Sequence, residues 1–424
     1  MDNTALYDVI IVGAGMAGLA AAHELRRNLG ITVLVLEAQN YIGGRVKTDF
    51  DWGEPVELGA EFVHGKGTII GKLTEELHLD MREAFSGHTL INRDGEKLSD
   101  ELQKEYESLI DYVFENGKVG ISVDKIIRNS SITVNEDVIE LACHFFEDFE
   151  AASAKDIDSG ALTQAYERTK FFGGEIVFRN GYSDIVDYFV ERVTVHLNSP
   201  VNKIDWSNSQ VVTLYCSNNV TYRARKIIIT ASLGVLKADR IAFMPRLPDD
   251  KQRIISALGM GNACKVLVLL RSAETARRIF RISNADSESL QLVTNWWGSA
   301  SNERVLVGYV GGARAAHILS LSQEQLRTVV TNDLIKVFGT DFAQEIIDIK
   351  LSRWDDNPYI AGAYSYHPVG IENRDRTALA KPCGNIFWAG EATQIDGTYA
   401  MVHGAVASGY RAAKEVVGSL KTMT

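Results

Sequence analysis

YDVIIVGAGMAGLAAAHELRRNLGITVLVLE, residues 7–37, is the stretch from which the fold follows. Asp8 to Val12 is short, apolar and β-branched, the composition of a buried strand. Gly13, Gly15 and Gly18 follow in G-x-G-x-x-G spacing. Met16 to Asn28 reads as a helix whose apolar face is built from small residues, Thr32 to Leu36 as a second buried strand, and Glu37 stands at its end. Each piece has a job in holding a dinucleotide. Gly13 permits the tight turn, Gly15 lets backbone approach a pyrophosphate, and Gly18 lets helix and strand pack closely. The helix N-terminus offers free N–H groups and a positive dipole end to the anion. Glu37, nineteen residues past Gly18, is spaced to accept from ribose hydroxyls. A G-x-G-x-x-G alone marks only a glycine-rich turn. Here strand, turn, helix, strand and acid come in the order of a Rossmann unit.

At 424 residues the chain is too long for one small domain, and two intertwined domains with substantial cores are expected. Its 44 basic and 55 acidic residues give a net charge of −11, which disfavours nucleic acid and anionic membrane as partners and mildly favours cationic ligands. Cys143, Cys216, Cys264 and Cys383 are scattered, without metal-ligand or disulfide spacing, so no metal is expected and a reducing compartment is. The first strand leaves no room for a signal peptide, no apolar run approaches the ~18–20 residues of a membrane helix, and the tail KTMT carries no lipidation signal. The expected location is the cytoplasm.

Outward from Glu37, AQNYIGGRVKT places Gly43 and Gly44 in a tight turn, with Arg45 able to lie against phosphate or to be solvated. In VELGAEFVHG, Val56 and Leu58 alternate as a strand would, and Gly59-Ala60 are slim enough for a flat ring to rest on. His64 follows; a lone His is more often a hydrogen-bonded structural residue than a catalyst. Residues 66 to 170 read as helical, notably Glu101 to Phe114 and Asn135 to Phe149. The acidic-aromatic run FFEDFEAASAKDID reads equally as a solvated helix end or as substrate lining. Alternating strands, among them Pro200 to Trp206, then return to the dinucleotide domain. ACKVLVLL, Ala263 to Leu270, is a strand with one charge, Lys265, whose ammonium must be satisfied; an edge-strand Lys pointing to water fits the pattern as well. Strands Leu290 to Asn295, Val305 to Val310 and Ile346 to Trp354 and a helix from Gln323 to Phe338 follow. Trp354, Tyr364 and Tyr366 lie in RWDDNPYIAGAYSYHPVG, where core packing is the ordinary fate of aromatics. Finally Ile386 to Ala389, Gly390-Glu391 and a helix from about Val402 repeat the opening pattern of strand, turn and helix.

VIIVGAGMAGLAAA, LVLEAQNYIGGRVKT, VELGAEFVHG, the Lys of ACKVLVLL, GAYSYHPVG and IFWAGEATQIDGTYAMVHGAVASGYRAA together resemble the flavin amine oxidases, with LGAEFVHG and GAYSYHPVG closer to polyamine than to monoamine oxidases. The resemblance implies FAD. It puts Gly13, Ala14, Gly15, Met16 and Gly18 at the pyrophosphate, Glu37 and Ala38 at the adenosine ribose and Val201 at adenine. Gly44, Arg45, Gly59 and Ala60 lie toward the phosphates and the flavin, Glu391 at the ribityl–pyrophosphate region, and Met401-Val402 at the flavin's O2 edge. Covalently flavinylated monoamine oxidases carry a Cys just before the residue matched by Tyr364; here it is Ala363, which implies noncovalent FAD. Lys265 matches the lysine that holds a water at flavin N5 and assists reoxidation. Tyr364 matches one wall of an aromatic cage whose other wall is Met401 here, with Tyr399 nearby to compensate. His64 and Glu150 match residues beside the bound amine, and Phe62 and Trp354 complete the expected lining.

By the same resemblance the chain oxidises a (poly)amine C–N bond to an imine, which water hydrolyses, and passes the electrons to O2 as H2O2. Glu150, with Asp148 or Glu147, would anchor a distal ammonium. The substrate is then a cationic small-molecule amine; nothing in the pattern fixes an oligomeric state. An L-amino acid oxidase would need an Arg where Phe62 stands. A monoamine oxidase would want the second cage Tyr. A histone demethylase would carry a further domain or long insert, and Lys265 disfavours a flavin desaturase or dehydrogenase and a non-catalytic module. The implied fold is α/β: a Rossmann-type FAD-binding domain of residues 1–66, 173–260 and 373–424, with an α+β substrate domain of mixed sheet and helices, residues 67–172 and 261–372, inserted in it.

Overall fold

The computed structural model describes residues 2–27, 30–84, 89–91, 96–132, 134, 136–277, 282–284, 293 and 295–421. Its first sheet is organised on the strand Asp2–Val12, which pairs in parallel with Val33–Leu36 on one side and Thr221–Ile229 on the other. The near-continuous apolar run VIIV is what a strand buried on both faces requires. Val9 and Ile11 face one core, with the helices Met16–Leu25 and Val402–Lys421; Ile10 and Val12 face another, with Ile204, Leu214, Ile227 and Trp388. The sheet continues through Val212–Cys216 and Val201–Asp205 to Ala242–Met244, and ends at Val195–His196 beyond Val33–Leu36. Ile386–Trp388 joins in parallel beside the end of Thr221–Ile229, so the two strand–turn–helix units, at either end of the sequence, open at the same edge.

The second sheet runs Ile346–Leu351, Ala263–Leu270, Val305–Gly311, Asn295–Gly298, Ile282–Asn284, Thr89–Ile91; all its pairs are antiparallel except the last. In Ala263–Leu270 the even residues Cys264, Val266, Val268 and Leu270 pack under the helices Gly312–Ser320 and Gln323–Phe338. The odd residues Leu267 and Leu269 pack toward Val56, Leu58 and Phe62. Lys265 belongs to that odd face, which turns it toward the first domain. The helices Asp100–Asn116, Val123–Arg128, Glu136–Glu150 and Ser159–Thr169 form a separate core. The fold is the expected mixed α/β arrangement.

Several elements differ from their sequence reading. The first helix stops at Leu25 rather than Asn28, which lies outside the described residues. Val56 to Leu58 forms a strand of only Val56–Glu57. Residues 290–292 and 294 of the expected strand Leu290 to Asn295 lie outside the described residues, and the strand found is Asn295–Gly298. The helix Ile69–Glu76, in the stretch assigned to the substrate domain, packs Ile70 and Leu73 into the core of the first sheet. Gln323–Phe338 falls on its expected bounds, started by a Ser322/Gln325 capping box. Among the described residues no helix is long and apolar enough to cross a membrane.

Candidate active site

One cavity of about 860 Å³ runs from the Gly-rich turn to the inner face of the second sheet. At one end the helix Met16–Leu25 begins with no side chain capping it, so its first N–H groups and dipole are available to an anion. Gly13 has φ +107°, and a Cβ on Gly18 would stand 2.0 Å from the Gly13 carbonyl oxygen. A Cβ on Gly15 would meet nothing nearer than the Gly43 carbonyl at 4.0 Å, because that side faces the cavity. The three glycines therefore do three different things, as their spacing implies. Ala14 and Gly18 do not reach the cavity wall: Ala14 is fully buried and donates its N–H to Glu37 Oε2 at 2.6 Å. Glu37 Oε1 accepts from the Gln39 N–H at 2.8 Å. Burial pushes the Glu37 carboxyl up, and these backbone donors pull it back part of the way.

Gly43 and Gly44 both take positive φ, and the turn aims Arg45 at the cavity. Its guanidinium donates to the Ala363 carbonyl and, at 3.1 Å, to Glu391 Oε1. Glu391 Oε2 accepts from Ser365 Oγ at 2.6 Å and from the Ala400 N–H at 3.1 Å. Burial alone would raise the Glu391 carboxyl, but the charges of Arg45 and Arg376 outweigh it and hold it below the usual range. Gly59 also has to be slim for packing: its Cβ would stand 1.9 Å from the Arg45 carbonyl oxygen. Gly59 and Ala60 border the cavity, as do Met16, Ala38, Gly44 and Val201.

Toward the second sheet, Lys265 is buried and flanked on both sides by strands, so it is not an edge-strand lysine. Its Nζ is 2.7 Å from Glu61 Oε2 and donates to the Glu57 carbonyl at 3.2 Å. Opposite it in register stands Tyr309, whose hydroxyl is 2.6 Å from that of Tyr364. Tyr364 also donates to the Phe149 carbonyl at 2.8 Å. Burial drives the Tyr364 hydroxyl well above its ordinary range. Tyr309 thus stands hydroxyl to hydroxyl with Tyr364, and Tyr399 borders the same cavity. The ring of Tyr399 is covered by the Arg376 guanidinium at 4.3 Å and meets the His367 edge at 4.5 Å.

Phe62, His64, Trp354, Met401 and Val402 all line the same cavity. His64 Nδ1 lies 3.0 Å from Glu175 Oε1, a pair made across adjacent antiparallel strands. Of the three acids expected near a distal ammonium, only Glu150 lines the cavity. Asp148 accepts from Asn295 Nδ2, the Gly311 N–H and Arg314, and Glu147 accepts from the Ala154 N–H and Arg314. These two are committed to the protein. Burial pushes the Glu150 carboxyl up to about 8, with Arg376 pulling the other way. Glu61, Glu175, Trp297 and Tyr309 were not singled out in the sequence. Tyr309 lies opposite Lys265 only through a strand register, and Glu61 sits inside LGAEFVHG without a signal of its own.

A family model described as flavin containing amine oxidoreductase matches residues 16–417. The chain is similar to polyamine oxidase 5 of Oryza sativa subsp. japonica, 30% identical over 452 residues, covering 99% of this chain and 90% of the relative. It is similar to polyamine oxidase 3 of the same organism, 29% identical over 437 residues, covering 96% and 88%. In fold it is similar to a putrescine oxidase solved as wild type bound to putrescine, with TM-score 0.83, 22% identity and coverage of 98% of this chain and 99% of that one.

Proposed function

The chain belongs to the flavin-containing amine oxidoreductases, and on that premise we propose that it is an FAD-dependent oxidase of a cationic di- or polyamine. The observation that carries the substrate class is Glu150: a carboxyl group on the wall of the same cavity as Lys265, while its neighbours Asp148 and Glu147 are taken up by the protein.

The donor set fits FAD. An uncapped helix N-terminus and the open side of Gly15 suit the pyrophosphate, Glu37 the ribose and Val201 the adenine. Arg45, Glu391 and the start of the helix Val402–Lys421 would hold the middle and the ring. Ala363 in place of a cysteine supports noncovalent attachment. Cys264, the one cysteine among the described residues that line the cavity, packs its side chain on the helix-covered face of its strand, and burial pushes the thiol far up, so that it stays a thiol rather than a nucleophile. We assign residues 1–66, 173–260 and 373–424 to the FAD domain and 67–172 and 261–372 to the substrate domain, with Ile69–Glu76 packing on the former. Four cysteines without disulfides support a cytoplasmic setting.

When bound, FAD accepts a hydride equivalent from the carbon beside the amine nitrogen and returns the electrons to O2 as H2O2. The protein's part is positional and electrostatic. Phe62, Tyr364 and Met401 desolvate the reacting nitrogen, which favours its neutral form. His64, with Nδ1 against Glu175, has Nε2 left to take or orient the amine's proton. Glu150 anchors the distal ammonium and Trp354 borders the chain between. Lys265 Nζ holds the water and charge that assist the O2 step. H2O2 release from spermidine, spermine, their acetyl forms, putrescine, tryptamine and L-amino acids tests this. Turnover of the multiply charged amines is expected; turnover of tryptamine or an amino acid alone would overturn it.

A further inference from the structure

Glu61 lies between the slim pair Gly59-Ala60 and Phe62, and its two carboxylate oxygens have separate partners. Oε2 faces Lys265 Nζ at 2.7 Å, and Oε1 accepts from Trp297 Nε1–H at 3.3 Å. The side chains of Lys265 and Glu61 are 7% and 5% exposed, and both border the cavity. The groups around Nζ come from every neighbouring element. Glu57 gives its carbonyl, while its carboxyl is turned to Thr48 Oγ1 and the Tyr182 N–H. Tyr309 stands opposite in register, and Ser352 Oγ accepts from the Lys265 backbone N–H at 2.8 Å. Glu61 is the one carboxylate among them in contact with Nζ. A buried ammonium needs such a partner to remain charged. A four-carbon stem also leaves Nζ free to wander unless something fixes it.

We propose that Glu61 is a positioning residue: its carboxylate, steadied by Trp297, holds the Lys265 ammonium at one point of the cavity wall. The functional consequence rests on the reading of Lys265 as the residue that assists reoxidation.

The test uses the FAD-loaded protein reduced with dithionite and mixed with oxygenated buffer, so that it does not depend on the amine. Glu61→Gln is expected to slow reoxidation about tenfold, the low end of what loss of a group that orients a functional side chain costs. Glu61→Asp restores most of that rate. In a Lys265→Met background Glu61→Gln changes nothing further. Anaerobic reduction by putrescine or spermidine changes far less than reoxidation does. A second reading is thermal unfolding of the apoprotein: Glu61→Gln lowers Tm, and adding Lys265→Met recovers part of the loss, because the unpaired charge is gone. Trp297→Phe, which leaves both charges in place, gives the same reoxidation defect at smaller size. Wild-type reoxidation in Glu61→Gln, or an equal slowing with and without Lys265, overturns the proposal. If no amine reduces the bound flavin while these patterns hold, the substrate reading fails and this one stands.

Discussion

Glu150, half-buried on the cavity wall, and Glu57, buried, are carboxyl groups with different consequences. Glu150 is pushed up to about 8 by burial, so in the free protein it ionises only as pH rises toward that value. A distal ammonium is held by the ionised form. The KM of a di- or polyamine should therefore fall as pH rises from about 7 toward 8.5, whereas that of a monoamine keeps no such step. Glu150→Gln should raise the multiply charged amine's KM about tenfold, the worth of one partly buried ion pair, and flatten its pH profile; equal effects on both substrates would remove Glu150 from the site. Glu57 does not line the cavity described above. Burial raises it to about 7, against the donors Tyr182 N–H and Thr48 Oγ1. In the unfolded chain it titrates near the ordinary ~4.3. Between those values the folded state keeps a proton that the unfolded state gives up, so stability falls as pH rises through the window. Glu57→Gln should remove roughly 3 kcal/mol of that dependence, read from urea unfolding of the apoprotein at pH 4.5 and 8. Glu150, Glu37 and Glu147 are also raised by burial and act in the same direction, whereas the lowered His144, His367 and His403 act against them, so the Glu57 share is read as the difference between variant and wild type. Neither Glu57 nor Glu150 could be separated from a solvated acid in the sequence, because the distinction is depth, and depth comes from elements far away in the chain.

The helix pair Met16–Leu25 and Val402–Lys421 shows what one element asks of another. A Cβ on Gly409 would stand 2.2 Å from the Ala17 carbonyl oxygen, so the two helices touch backbone to backbone. Gly409→Ala must push them apart. Overpacking of this kind costs about 1–3 kcal/mol, and both helices begin at the cavity. The expected outcome is a lower Tm together with weaker FAD retention, measured as the ratio of flavin to protein absorbance after gel filtration. Gly418→Ala, where no atom lies within 4 Å of the added Cβ, should leave flavin retention unchanged and should not lower Tm, since Ala is the better helix former. These elements were legible because their rules are local: glycine spacing, a strand of β-branched residues, a helix face of small side chains. Of the short strands Val56–Glu57 and Phe62–His64, only the first showed, through the alternation of Val56 and Leu58. Two or three residues carry little period, and they are strands only because Thr48–Asp49 and Glu175–Phe178 lie alongside. The cavity end they build, with Glu61 and the His64–Glu175 pair, was hidden for the same reason.

At the scale of the molecule, the cavity wall is drawn from stretches that are hundreds of residues apart: Gly15, Arg45, Lys265, Ala363 and Met401 border one space. A ligand filling it ties those stretches together, so FAD should act as a folding ligand as well as a cofactor. With free FAD at 100 times its Kd the gain is about 2.7 kcal/mol, and for the noncovalent attachment proposed above it should grow with concentration. A covalent bond would abolish that concentration dependence. Ala363 is buried with its carbonyl on Arg45 and its N–H on the Gly261 carbonyl, and the thiol of Cys264 is held protonated. Acid precipitation of the yellow protein should release the flavin to the supernatant in full, and the Tm of the apoprotein should climb steadily with added FAD. Yellow retained in the acid pellet would mean a covalent link, and a Tm indifferent to FAD would mean that this cavity does not hold it.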